Sequence, residues 1–156
     1  MREMAGMDEL LFKMMQWSQQ GFFCSQILLL LAMERLQRDN PELIRAMGGL
    51  NGGVGFSGRL CGALTGGACL ISLYAGKGEA EELEDSQVND LIRQLADWFQ
   101  MEACAAYAGC NCTDILEENP NNRMTRCPQL VQQTFEKATT LLTQAGYDLT
   151  TGRRGE

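Results

Sequence analysis

The apolar residues of this 156-residue chain are mostly unbranched at Cβ: Leu, Ala and Met number 44, while Val and Ile number 8. Leu, Ala and Met lose little freedom in a helix, whereas strands draw on β-branched side chains to cover a pleated surface. A sheet core would lack its usual material, so the expectation is an all-α fold. The length suits one compact domain, and no internal repeat or linker divides it. The reading is therefore a single-domain bundle over 1–156, with about five main helices and a glycine-rich loop before the third long one.

Leu10, Leu11, Met14, Met15 and Trp17 recur at helical spacing and Gly21 follows, which predicts a first helix over 8–19. A second, from Cys24 to Arg38, is apolar nearly all round over Ile27 to Leu31, as suits a central helix. Asn40-Pro41 reads as the cap and first position of a short helix ending near Met47. The loop Gly48 to Gly58 then leads into a third long helix from Cys61 to Ala75. Its Gly62, Gly66 and Gly67 each weaken a helix by about 1 kcal/mol, which points to close approach by a neighbouring backbone.

An acidic stretch, Glu79 to Asp85, reads as the solvated start of a long helix whose stripe runs through Val88, Leu91, Ile92, Leu95, Phe99 and Ala106 to near Gly109. Cys112 to Leu116 suits one helical turn, and Cys127-Pro128 places proline at the first position of a closing helix that runs to Gly146. The polar tail 150–156 is expected to fray. Trp17 and Trp98 are expected in the core.

Composition excludes several functions. Thirteen basic against 20 acidic residues give a formal charge of −7, a field that repels nucleic acid and anionic membranes. The longest apolar run, Ile27 to Met33, is far below the roughly 20 residues of a spanning helix. Acids stand near the N-terminus where a signal peptide needs an apolar run, so the expected location is the cytoplasm. The chain has no histidine, which removes Ser-His-Asp and Cys-His catalysis, histidine-ligated metals and C-x-x-C-H haem attachment. Gly53 to Gly58 spells G-x-G-x-x-G, but no strand precedes it, and there is no phosphate-binding G-x-x-x-x-G-K-[ST]. Neither haem nor nucleotide is expected.

Chemistry then falls to seven cysteines, an odd number that argues against a permanent disulfide framework in a reducing compartment. Cys24, Cys61, Cys112 and Cys127 stand where predicted helices begin. A helix N-terminus favours thiolate over thiol, and a thiolate is both nucleophile and metal ligand. Cys24 shares a face with Ile27, Leu28 and Leu31, and Cys127 with Val131, so both are expected to point inward. Cys69 and Cys104 read as buried apolar side chains. Cys110-Asn111-Cys112 is a C-x-C pair that suits ligands to one metal or an exchangeable thiol pair.

Cys24, the run Cys61-Gly62-Ala63-Leu64-Thr65-Gly66-Gly67, a cysteine ahead of Thr113-Asp114-Ile115-Leu116, and Cys127 together resemble the C_GCAxxG_C_C family, small proteins with four cysteines and a CGAxxG motif. The resemblance spans about residues 8–145. It implies redox activity and assigns the family cysteines to Cys24, Cys61, Cys112 and Cys127, with Cys110 competing for the third place. Gly62, Ala63 and Gly66 of the motif become the candidate cofactor-contacting positions. A similar region accompanies haem domains in split-Soret cytochromes, where it is associated with an iron–sulfur centre.

Three readings follow. In the first the four cysteines form one thiol/disulfide site of oxidoreductase type, with Cys61 as nucleophile, Cys24 or Cys127 as resolving thiol, and an unidentified redox partner. In the second the same four, or Cys110 among them, hold a [2Fe–2S] cluster or zinc. In the third the thiols are inert parts of an interaction protein. A homodimer is open to such a bundle.

Overall fold

The computed structural model describes residues 2–152. Its order is α1 (Arg2–Gln19), α2 (Cys24–Leu36), α3 (Pro41–Met47), α4 (Gly62–Ala75), α5 (Val88–Trp98), α6 (Cys112–Leu116) and α7 (Asn122–Gln144). The all-α single-domain expectation holds, with α3 and α6 as short additions to five longer helices. Among the described residues there is no strand, only an isolated antiparallel bridge between Leu60 and Asn111.

The centre is α4, against which α2, α5 and α7 all pack. Its glycines make this possible. A Cβ at Gly66 would lie 2.9 Å from both the Ser25 Cα and the Leu28 Cδ1 on α2. On the other side, a Cβ at Gly67 would lie 2.6 Å from Thr134 Cγ2 on α7 and 2.9 Å from Leu95 Cδ2 on α5. Real Cβ atoms do not come so close, so three helices approach α4 only because it lacks side chains there. Leu28, Leu29, Leu70, Ile71, Leu95, Phe99 and Leu142 are fully buried around it. Helix α1 lies over this core, with Met14 buried and Lys13 paired with Glu34 of α2. Trp17 and Trp98 pack half-buried against it.

Between α3 and α4 the chain makes a left-handed turn. Gly52, Gly53, Val54, Gly55 and Phe56 all have φ between 59° and 77°. This conformation costs an L-residue about 1–2 kcal/mol, and glycine escapes the cost, so three of five positions are free of it. The turn closes on itself through Gly58 N–H to Gly52 O at 3.1 Å and Arg59 N–H to Gly53 O at 3.0 Å. Its root is held by buried polar groups: the Ser25 hydroxyl donates to Asn51 Oδ1 at 2.6 Å, and Asn51 Nδ2 donates to Gln26 Oε1 at 2.9 Å. The loop's exit is zipped to the start of α6 by Cys61 N–H to Cys110 O at 3.0 Å and Cys112 N–H to Arg59 O at 2.6 Å.

Several element boundaries differ from expectation. Helix α1 begins at Arg2, six residues before the predicted start. Residues 79–87 form turns rather than a helix start, and Asp85 accepts a hydrogen bond from Tyr147 at 2.6 Å. The predicted long helix stops at Trp98 and passes into a π turn over Phe99–Ala103. There Cys104 N–H bonds Phe99 O, five residues back, and the Cys104 and Cys110 sulfurs stand at disulfide-bonding distance with Cα atoms 5.6 Å apart. A helix continuing to Gly109 would carry Cys110 away from Cys104, so the link and the helix exclude each other. Helix α7 begins at Asn122, and Pro128 lies inside it. Asn122 Nδ2 donates to Leu116 O and Arg126 Nη1 to Ile115 O, which anchors the added turn. Proline removes one helical bond, that to the carbonyl of exposed Met124. Of the tail, Thr150 is fastened to Asp148 and Gly152 is buried, so it is ordered that far; 153–156 lie outside the described residues.

Two stability measurements check this account. Gly66→Ala should cost about 1–3 kcal/mol by overpacking, while Gly49→Ala, which meets open space, should be neutral or mildly stabilising in urea unfolding. Equal effects at the two positions would refute the role given to the α4 glycines. Closing the short Cys104–Cys110 loop should contribute about 2 kcal/mol by chain entropy. Reduction should therefore lower wild-type stability by that amount and leave Cys104→Ser unchanged.

Candidate functional site

Cys24 is the first residue of α2, and its sulfur lies directly over the Cα of Gly62, where any Cβ would collide with it. Cys61 caps α4, Cys112 opens α6, and Cys127 lies on α7 one residue before Pro128. Four elements thus bring four sequence-distant thiols into one electrostatic neighbourhood. Charge on Cys24 raises the pKa of both Cys61 and Cys127, charge on Cys112 raises Cys24 and Cys127, and charge on Cys127 raises Cys61. Cys69 is raised by burial alone, and Cys104 and Cys110 are paired elsewhere. Cys110 therefore joins Cys104 rather than competing with Cys112, and the C-x-C pair does not act as a unit.

Helix starts were expected to lower these thiols below the ordinary range. Burial overrides them. It pushes Cys61 up to about 12, with Cys24 adding to the rise and the Ala63 and Leu64 amides opposing it. Burial likewise pushes Cys127 to about 12; no backbone amide opposes it, since this residue is inside α7 rather than at its start. Cys24 is raised by burial, against hydrogen bonds from the Gly52 and Ser25 amides. Cys112 is raised by burial and opposed by Arg123.

The glycine loop now has a structural explanation. One of its amides, that of Gly52, reaches the Cys24 sulfur. Gly62, Ala63 and Gly66, the candidate cofactor-contacting positions, are buried, and the faces of Gly62 and Gly66 are filled by Cys24, Ser25 and Leu28. They set the distance between α2 and α4 and leave no space for a ligand.

Two cavities approach the thiols. A larger one of about 440 Å³ between α1, α2 and α7 exposes Cys24 and Cys127, and a smaller one of about 220 Å³ exposes Cys112 beside Gly58 and Thr113. Cys61, 6% exposed, lines neither. Arg123 lines both cavities and lies over the rings of Phe23 and Phe56, at 5.8 and 5.1 Å from their centroids. It is the cation that favours ionisation of Cys24, Cys112 and Cys127. Sequence reading passed over it. No sequence signal marked it, since the predicted closing helix began only at Cys127, and which neighbours it meets depends on how the extended α7 docks.

Among the described residues no three Cys, Asp or Glu side chains stand so that they could hold a metal ion. No described helix is long and apolar enough to cross a membrane.

No curated protein and no solved structure matches the chain. Residues 22–141 match the profile of the family described as "Putative redox-active protein (C_GCAxxG_C_C)". That span contains all four thiols, the left-handed loop and the α4 glycines that seat Cys24, and by this match the chain belongs to the C_GCAxxG_C_C family.

Proposed function

We propose that Cys24, Cys61, Cys112 and Cys127 form a single thiol–disulfide redox centre. The observation that carries this reading is the convergence of four thiols from four elements at a place where burial opposes their ionisation. Four buried acids cannot all ionise there, but two can lose their protons and electrons together by forming a disulfide, which carries no charge.

Cys24 is the entry thiol. It lines the larger cavity, receives two backbone amides, and is electrostatically coupled to the other three, whereas Cys61, the nucleophile expected from sequence, is enclosed. Its thiolate attacks one sulfur of a substrate disulfide, giving a mixed disulfide and one thiolate leaving group, which takes up the proton Cys24 released. Cys61 or Cys127 then attacks the Cys24 sulfur and expels the second substrate thiol. Two protein thiols become one disulfide and the substrate disulfide becomes two thiols. Cys112, facing the smaller cavity, is placed to receive or pass on electrons from the opposite side.

Mixing reduced protein with a small disulfide and mapping the product should reveal a link from Cys24 to Cys61 or Cys127, absent in Cys24→Ser and retained in Cys69→Ser. Products confined to Cys69, or a Cys24→Ser variant that cross-links as fast as wild type, would sink the reading. Iron, zinc and acid-labile sulfide analysis after oxygen-free purification provides the second check: stoichiometric metal would require the thiols to regroup and would favour the ligand role.

The pKa shifts add a pH test. Raised native pKa values mean that the folded protein holds its thiol protons where the unfolded chain, near 9.0, releases them. This stability is present below pH 9 and is lost as pH rises from 9 towards 12. Below pH 9, alkylation of Cys61 and Cys127 should rise about tenfold per pH unit with no plateau. A plateau at neutral pH would show that burial does not set their ionisation.

A further inference from the structure

The larger cavity has a character that thiol chemistry does not require. Its walls are Leu11, Met14, Phe22, Ile27 and Val131, with Met15 and Met124 exposed at 60% and 84% on the rim. Ser18 and Gln19 are its uncharged polar members, and among the described residues the only ionic side chain in the lining is Arg123. This is a local reversal in a chain of formal charge −7. Arg123 has no acidic partner among the described residues; its guanidinium rests on Phe23 and Phe56. A cation stacked on aromatic rings keeps its hydrogen-bonding edge for another partner.

Each part of the lining excludes a class of ligand. A sugar would find too few polar partners, and a di- or triphosphate would need more than one cation. A wholly apolar molecule would bury its surface but leave the guanidinium unused. We propose that this groove binds an apolar molecule carrying a single anionic group, with a medium-chain carboxylate as its simplest representative. The carboxylate pairs with Arg123 through charge-assisted hydrogen bonds, and the chain lies along Met14, Phe22, Ile27 and Val131, against Cys24 and Cys127. The methionines allow the walls to adjust to different apolar bodies. Binding needs no redox step, so this proposal stands apart from the thiol–disulfide reading above.

Calorimetric titration of the reduced protein with decanoate and with decanol tests this. Decanoate should bind more tightly than decanol. Arg123→Gln should weaken decanoate at least about tenfold and leave decanol unchanged, and Met14→Trp, which fills the groove, should weaken both. In wild type, decanoate should slow maleimide labelling of Cys24 and Cys127 but not of Cys69, a readout that survives if Met14→Trp fails to fold. A Cys24→Ser/Cys127→Ser double variant that still binds decanoate separates this proposal from the redox one. Equal affinity for acid and alcohol, or indifference to Arg123→Gln, would overturn it. So would a dimer in sedimentation that Met14→Trp dissociates and decanoate does not affect, since the groove would then be covered by a second copy.

Discussion

The close seating of α2 on α4 depends on two hydrogen atoms, those that stand where Gly62 and Gly66 would otherwise carry a methyl group. Gly66 lets the α2 backbone come to van der Waals contact at Ser25, and Gly62 leaves room for the Cys24 sulfur. The rest of the site follows from that approach. With Cys24 beside the N-terminus of α4, Cys61 becomes its neighbour. Gly67 lets α5 and α7 in on another side of the same helix, and α7 carries Cys127 and Arg123. The Ser25–Asn51–Gln26 hydrogen bonds fasten the glycine loop to α2, so the Gly52 amide reaches the sulfur that Gly62 accommodates.

Electrostatics gives this arrangement its resting state. Desolvation penalises the thiolate, and charge on one thiol penalises its neighbours, so the set stays protonated although three of its members stand at a helix start. Amide donors and Arg123 offset part of that cost, and at Cys24 two amides and the guanidinium all act. Access is graded by position: Cys24 and Cys127 open to the large groove, Cys112 opens to the small one, and Cys61 is held inside. Arg123 lines both openings and favours ionisation of Cys24, Cys112 and Cys127.

Much of the fold was legible because it depends on local chemistry. Helix formers at helical spacing placed α2, α3 and α4 to within a residue or two, and the cap-and-proline pair at Asn40-Pro41 marked the start of α3. The errors share one cause. The π turn after Trp98, the early start of α7 and the turns over 79–87 are set by partners outside the i±3 and i±4 spacing of a helix: Cys110 for Cys104, Leu116 and Ile115 for Asn122 and Arg126, and Tyr147 for Asp85. At the site, cysteine spacing and the CGAxxG run identified which four thiols to follow, but helix position alone misjudged their ionisation, because it says nothing about burial.

By itself, then, the sequence determined an all-α chain, a central helix notched by glycine, and a chemistry limited to thiols by the lack of histidine, since each of these follows from residue type and short-range spacing. Tertiary structure alone decided that Cys110 pairs with Cys104, that Cys61 is enclosed while Cys24 is reachable, and that Arg123 lines both cavities that reach the thiols. The reason is physical: solvent exposure and the charge felt by a buried group are properties of all surrounding atoms, and those atoms come from helices far apart in the chain.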